Sequence, residues 1–162
     1  SNTFLSIATI ENKRLGDEVR VPISINTDSP DSVSALDLAF KFDPNQLKPL
    51  SKAVSEGELT QSWSKPISNI DQGILKTSLA SPLPLTSGAG EILALNFEIT
   101  DGIADTISVD FDKEKSSIQE GRIVFTAANG AISLAPDESN TPKELSNTPD
   151  LPPTTKPISE SL

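Results

Sequence analysis

The chain has 162 residues, of which 35% are hydrophobic, with 23 acidic and 13 basic side chains and a formal net charge of -10. So acidic a surface repels phosphate backbones and anionic membranes, and we do not expect nucleic-acid binding. No apolar run approaches the roughly 20 residues needed to cross a bilayer, and we expect no membrane insertion. Cys and His are absent, which excludes disulfides, thiolate chemistry and every catalytic arrangement that needs an imidazole base.

The first clear element covers residues 18–25, where apolar and polar side chains alternate. A period of two residues predicts a half-buried β-strand. Its inward face carries four branched apolar residues: Val19, Val21, Ile23 and Ile25. Pro22 lies inside this segment and has no N–H to donate, which predicts an edge strand or a bulge.

Residues 34–42 repeat the pattern and end at Asp43-Pro44, a dipeptide typical of a turn. The side chains predicted to point inward are Leu36, Leu38, Phe40 and Phe42. Those predicted to point outward are Ala35, Asp37, Ala39 and Lys41. The segment therefore reads as a second strand with one buried and one exposed face.

Further alternating segments follow at 73–80, 93–99, 107–111 and 123–134, and Asn129-Gly130 within the last predicts a hairpin turn. Residues 112–120 have room for one helical turn, and no long helical stripe occurs. About eight or nine short strands with this spacing predict an all-β sandwich of the jelly-roll kind. Five of the six phenylalanines are expected in its core: Phe40, Phe42, Phe97, Phe111 and Phe125.

Composition changes at Pro136. Residues 136–162 are rich in Pro, Ser, Thr and acid and contain no aromatic residue. Such a segment buries too little apolar area to offset its ordering entropy. We therefore expect a folded domain over 1–135 and a disordered linker over 136–162. The chain also begins at Ser1 rather than Met, and we expect it to be a fragment of a longer protein.

Four segments in chain order resemble the cohesin family, the β-sandwich modules of cellulosome scaffoldins, whose fold is shared with some cellulose-binding modules. The matching segments are G-D-E-V-R-V-P-I at 16–23, A-L-D-L-A-F-K-F-D-P-N-Q-L at 35–47, G-E-I-L-A-L-N-F-E-I at 90–99 and N-G-A-I-S at 129–133. The resemblance spans residues 4–134. It implies a monomeric recognition module of an extracellular or cell-surface prokaryotic protein.

The resemblance also implies a partner and a binding face. In cellulosomal cohesins the outward face of one sheet binds a calcium-loaded dockerin, partly through the third strand and the strand before the last. Carried onto this sequence, the implied partner-binding residues are Asp37, Ala39, Lys41, Glu120 and Arg122. Ala35 departs from the family, which often has Asn there.

Two alternatives stay open. Trp63 lies in a polar stretch, and an exposed indole ring stacks on sugars, so a glycan site is conceivable with Asn69, Asp71 and Gln72 beside it. A single ring cannot form the aromatic strip that crystalline cellulose requires, which restricts this alternative to short soluble glycans. The second alternative is a structural spacer in a surface adhesin.

Enzymatic activity is not expected. Acids are plentiful, but no pair has an apolar surrounding that would raise one pKa for general acid catalysis. The acidic clusters at 28–31, 101–105 and 110–112 do not match a calcium-binding loop and are typical of turns. We therefore predict no catalytic residue, no metal site and no cofactor.

Overall fold

The computed structural model describes residues 2–136 and is all-β, as predicted. Short 3-10 turns at Pro30–Ser32, Glu58–Thr60, Lys113–Lys115 and Gln119–Gly121 are the helical elements in this range. The strands are β1 (Thr3–Ile7), β2 (Thr9–Lys13), β3 (Glu18–Thr27), β4 (Ala35–Lys41), β5 (Leu47–Glu56), β6 (Ile67–Asp71), β7 (Ile74–Ala80), β8 (Ala89–Ile99), β9 (Thr106–Phe111), β10 (Ser117–Ile118), β11 (Thr126–Ala128) and β12 (Gly130–Leu134). The linker predicted over 136–162 lies, from residue 137 onward, outside the described residues.

The strands form two sheets that enclose one hydrophobic core. One sheet has the order β11-β1-β3-β8-β5, and the other has the order β2-β12-β9-β4-β7-β6 with β10 also paired to β4. The twelve strands exceed the predicted eight or nine because short pieces such as β10 and β11 lack a visible alternating pattern. The fold class is confirmed.

The core contains the side chains that the alternating pattern assigned to it. Every predicted inward residue of 18–25 and 34–42 is at most 8% exposed, and burial of each such side chain contributes about 1.5–3 kcal/mol. All five predicted core phenylalanines are buried. Two ring pairs have centroid distances of 5.1 Å: Phe40 packs on Phe111 of the neighbouring strand β9, and Phe42 packs on Phe97 of the opposite sheet.

Pro22 lies in β3, a central strand of its sheet. The sheet accommodates the missing N–H of Pro22 because of where the neighbouring strand β1 ends. β3 is bonded to β1 on one side and β8 on the other. β1 ends at Ile7, opposite Ile23, and the Pro22 carbonyl accepts from the N–H of Ala8. The imide nitrogen faces the same side, one residue beyond the last β1–β3 pair, so the donor that Pro22 lacks falls outside that ladder. A register shift follows between Ile23 and Ser24.

The hairpin predicted at Asn129-Gly130 does not form. β11 pairs in parallel with β1 in one sheet, whereas β12 pairs with β9 and β2 in the other. The dipeptide is thus a crossing between sheets, and the Asn129 side-chain oxygen accepts a hydrogen bond from the N–H of Phe111 at 2.8 Å.

Candidate partner-binding face

The sheet that holds β4 has an outward surface, here called the four-strand face, formed by the outward residues of β10, β4, β7 and β6. Its geometry follows from register, because residues opposite each other in antiparallel strands point to the same side. Asp37 is opposite Ser78 of β7 and Ser117 of β10, and Lys41 is opposite Ile74. β6 then adds Ile67 next to Ser78, Asn69 next to Lys76 and Asp71 next to Ile74.

Asp37 is the central acidic group of this face. Its side chain is half-buried, and one carboxylate oxygen accepts a hydrogen bond from the Ser78 hydroxyl at 2.5 Å. A carboxylate has about four acceptor positions, so Asp37 retains capacity for a donor from outside. Ile67, 76% exposed, provides an apolar side chain on the same row.

Ala39, predicted to be exposed between Asp37 and Lys41, is fully buried. The residues that follow β9 lie against it: its N–H donates to Ser116 Oγ at 2.9 Å, and its carbonyl accepts from the N–H of Asp112. Alternation correctly assigned the side of the strand, but a neighbouring segment covers that side. Ala39 is therefore removed from the set of contact residues.

Glu120 and Arg122 lie on the turn that follows β10, beside the start of β4. Both side chains are 76% exposed, and their charged atoms are 4.0 Å apart, so this ion pair contributes little to stability. Lys41, also exposed, lies at the opposite end of β4. The predicted contact residues therefore extend along β4 over about 20 Å at 3.3 Å per residue.

Two residues that sequence reasoning missed hold these elements together. Gln119 accepts from the N–H groups of Ser34 and Ala35 through Oε1, and Ser116 accepts from the N–H of Ala39. Both side chains accept hydrogen bonds from backbone N–H groups for which the short strand β10 provides no backbone acceptor. A lone Gln and a lone Ser in a loop carry no sequence signal for such a role.

The structure buries the aromatic ring on which the glycan alternative depends. Trp63 is 6% exposed and belongs to the hydrophobic core, so its ring is not available for stacking. Asn69 and Asp71 are exposed on β6, and Gln72 is in the turn to β7 with a positive φ of 49°. Without an exposed ring, these three polar residues lack the platform that the alternative required.

Within residues 2–136, no three acidic side chains come close enough together to hold a metal ion. The same range contains no helix of the length and apolarity that a membrane span requires.

A two-sheet β-sandwich is an architecture that many cell-surface domains share. The family model for the cohesin domain matches residues 3–134. The chain therefore belongs to the cohesin domain family, whose modules are non-catalytic interaction domains.

Solved cohesin structures have the same fold. The sixth cohesin of scaffoldin B from Acetivibrio cellulolyticus, in complex with a Cel5 dockerin mutant, is similar with a TM-score of 0.70 and 23% identity, over 83% of this chain and 99% of that one. The third cohesin of ScaC from the same organism, in complex with the ScaB dockerin, gives a TM-score of 0.68 at 18% identity and the same coverage. A Clostridium thermocellum cohesin, Coh-OlpA in complex with Doc918, gives 0.65 at 14% identity, again over 83% and 99%. No curated protein matches the sequence.

Proposed function

We propose that this chain is a recognition module that binds a calcium-loaded dockerin-like module through the four-strand face. Membership of the cohesin domain family supports this function, and several similar structures are described as cohesin–dockerin complexes. The observation that carries the proposal is the row around Asp37, where a half-buried carboxylate with free acceptor capacity lies between two serines of the neighbouring strands.

The chemistry of the face suits a polar, charge-steered interface. Asp37 would accept from a hydroxyl, ammonium or guanidinium group of the partner, and such charge-assisted bonds are stronger than neutral ones. Lys41, Glu120 and Arg122 would lie at the rim, where exposed charges act mainly on the association rate. Raised salt should therefore slow association.

We place the module in an extracellular or cell-surface protein of a prokaryote. The support is that similar structures come from scaffoldins, including a cell-surface anchoring scaffoldin of Ruminococcus flavefaciens. A dockerin-bearing partner in the same compartment is part of this proposal.

The direct test is titration of the purified chain with a panel of recombinant dockerin modules from its source organism, with calcium and with chelator. At least one should bind with calcium and lose binding with chelator. Asp37→Ala should weaken that binding about tenfold or more, as expected for a central interface residue. The matched control is Glu98→Ala, an acid at a half-buried position on β8 of the opposite sheet, which should bind as the wild type does. Calcium-independent binding, or no binding, would contradict the proposal.

A further inference from the structure

Three exposed lysines that form no ion pair in the described part of the chain lie on the four-strand face or at its edge. Lys41, Lys76 and Lys115 are exposed, and none of them forms an ion pair within residues 2–136. Arg20 is paired with Glu91, and Lys52 and Lys65 with Glu56, whereas Lys13 and Lys48 are, like these three lysines, in no ion pair within the described residues. The three lysines are therefore distinguished by their position beside one face and not by the lack of an acidic partner.

Two of these lysines line a common depression, here called the lysine depression. It has a volume of about 110 Å³ and is bounded by Lys76, Lys115, Asn69, Asp71 and Ile74. Its place in the fold follows from register and hydrogen bonding. Lys76 of β7 is opposite Ala39 of β4, and on the other side of Ala39 lies Ser116, next to Lys115.

The residues that line the depression come from β6, β7 and the 3-10 turn at Lys113–Lys115, and none of them comes from β4. A water occupies about 30 Å³ of liquid, and the depression thus has room for a small polar group such as a carboxylate. Asp71 is the one acid in its lining, and no ion pair joins it to either lysine.

We propose that the lysine depression receives an Asp or Glu side chain of the dockerin-like partner, an inference that rests on the proposed function. The depression would thereby select partners that carry such a side chain. Lys76 and Lys115 would each donate to that carboxylate. Asp37 would at the same time accept from a hydroxyl or cationic group of the partner. The lysine depression prefers an acidic group, and Asp37 prefers a hydroxyl or cationic group. A partner must therefore present both kinds of group at matching positions, and its net charge alone does not suffice.

The spacing of the two subsites specifies how the partner presents these groups. Lys76, which lines the depression, is two residues from Ser78, the residue opposite Asp37, which is about 7 Å along β7. Residues four positions apart on an α-helix lie on one face with a rise of about 6 Å. A partner helix with a donor side chain and an acid four residues apart therefore fits the face.

The test uses the double variant K76Q/K115Q and the matched control K13Q/K48Q, which removes the same charge from β2 and β5, outside the four-strand face. Binding of a dockerin from the panel that captures wild type in calcium is measured by calorimetry, after thermal melts verify that each variant is folded. We expect K76Q/K115Q to weaken binding roughly 30-fold and the control to change it less than threefold. Equal affinities for the two variants would overturn the inference while leaving the proposed function intact.

Charge reversal provides a second readout that a mere loss of folding would not produce. K76E/K115E should abolish binding to the wild-type dockerin and regain it with a dockerin in which one helical Asp or Glu is changed to Lys. Absence of rescue by every such dockerin variant would overturn the inference. If wild type binds no dockerin in calcium, the proposed function fails, and the inference that rests on it fails too.

Discussion

Gln119 and Ser34 are joined by two hydrogen bonds: Gln119 Oε1 accepts from the Ser34 N–H at 2.8 Å, and Gln119 Nε2 donates to Ser34 Oγ at 2.9 Å. The same Oε1 accepts from the N–H of Ala35 at 3.1 Å. Gln119 has a φ of 55°, a left-handed conformation that a non-glycine residue adopts at a cost of about 1–2 kcal/mol. The side-chain bonds offset that cost and fix the turn of Glu120 against β4.

We predict that Gln119→Ala lowers the free energy of unfolding by about 1–3 kcal/mol, because two partly buried N–H groups lose their acceptor. Urea unfolding measures this loss. Gln119→Glu keeps the acceptor and loses only the donor, and should therefore fall between wild type and Gln119→Ala. An unchanged urea midpoint for Gln119→Ala would show that these bonds do not stabilise the turn.

Gly130 is the residue where an added methyl group is least tolerable at the crossing between sheets. A Cβ there would lie 2.4 Å from the carbonyl oxygen of Ala8 and 2.6 Å from Ile7 Cγ2. We predict that Gly130→Ala lowers the free energy of unfolding by about 3 kcal/mol or more, since backbone must move. The control is Gly16→Ala, where φ is +90° but no atom lies within 4 Å of the added Cβ, so only about 1–2 kcal/mol of backbone strain is expected. Chemical denaturation measures the free energy of unfolding of both variants. Similar losses of stability in the two variants would contradict the explanation by steric clash at Gly130.

The sequence predicted those parts of the molecule that depend on local periodicity. Side-chain direction alternates along any strand, which is why the inward residues around Leu38 and Val21 were correctly assigned. Coverage of an outward residue depends instead on distant segments. Ala39 is buried by residues more than 70 positions away, and the lysine depression joins Lys76 to Lys115 across β4. Such relations require the strand register, which no local pattern contains.

The failed hairpin has a similar cause. Asn129-Gly130 is a strong turn signal, but a turn dipeptide does not specify whether the strands on either side pair with each other. Here β11 and β12 contribute to opposite sheets. The exposure of Trp63 was equally undetermined, because its polar neighbours in sequence are not its neighbours in the core.

The buried position of Trp63 gives a prediction that separates a core role from sugar recognition. Trp63→Ala should lower the free energy of unfolding by about 3–5 kcal/mol, the usual cost of removing a large buried ring. Trp63→Phe should cost less because it retains an aromatic ring. A glycan array with wild type is expected to give no signal. Glycan binding by wild type that Trp63→Phe abolishes without loss of stability would contradict the core role.

Glu56 combines a mostly buried carboxylate with two exposed lysines. Its side chain is 14% exposed, and its oxygens lie 3.4 Å from Lys65 Nζ and 3.7 Å from Lys52 Nζ. A hydrogen bond from its own backbone N–H, and then the nearby Lys65 and Lys52, hold the pKa of Glu56 below its ordinary value of 4.5. The charged form is thus favoured more strongly in the folded chain than in the unfolded one.

This lowered pKa predicts a specific acid sensitivity. A carboxyl with a folded-state pKa below its unfolded value contributes stability above about pH 4.5, and that stability is lost as the pH falls through the folded pKa. Glu56→Gln should therefore be less stable than wild type at neutral pH, and the difference should shrink below about pH 4.5. Urea unfolding from pH 7 to pH 3 measures it, with Glu58→Gln, at an exposed position of the next 3-10 turn, as the control. A difference between Glu56→Gln and wild type that stays constant over this range would mean that the Glu56 charge does not stabilise the fold.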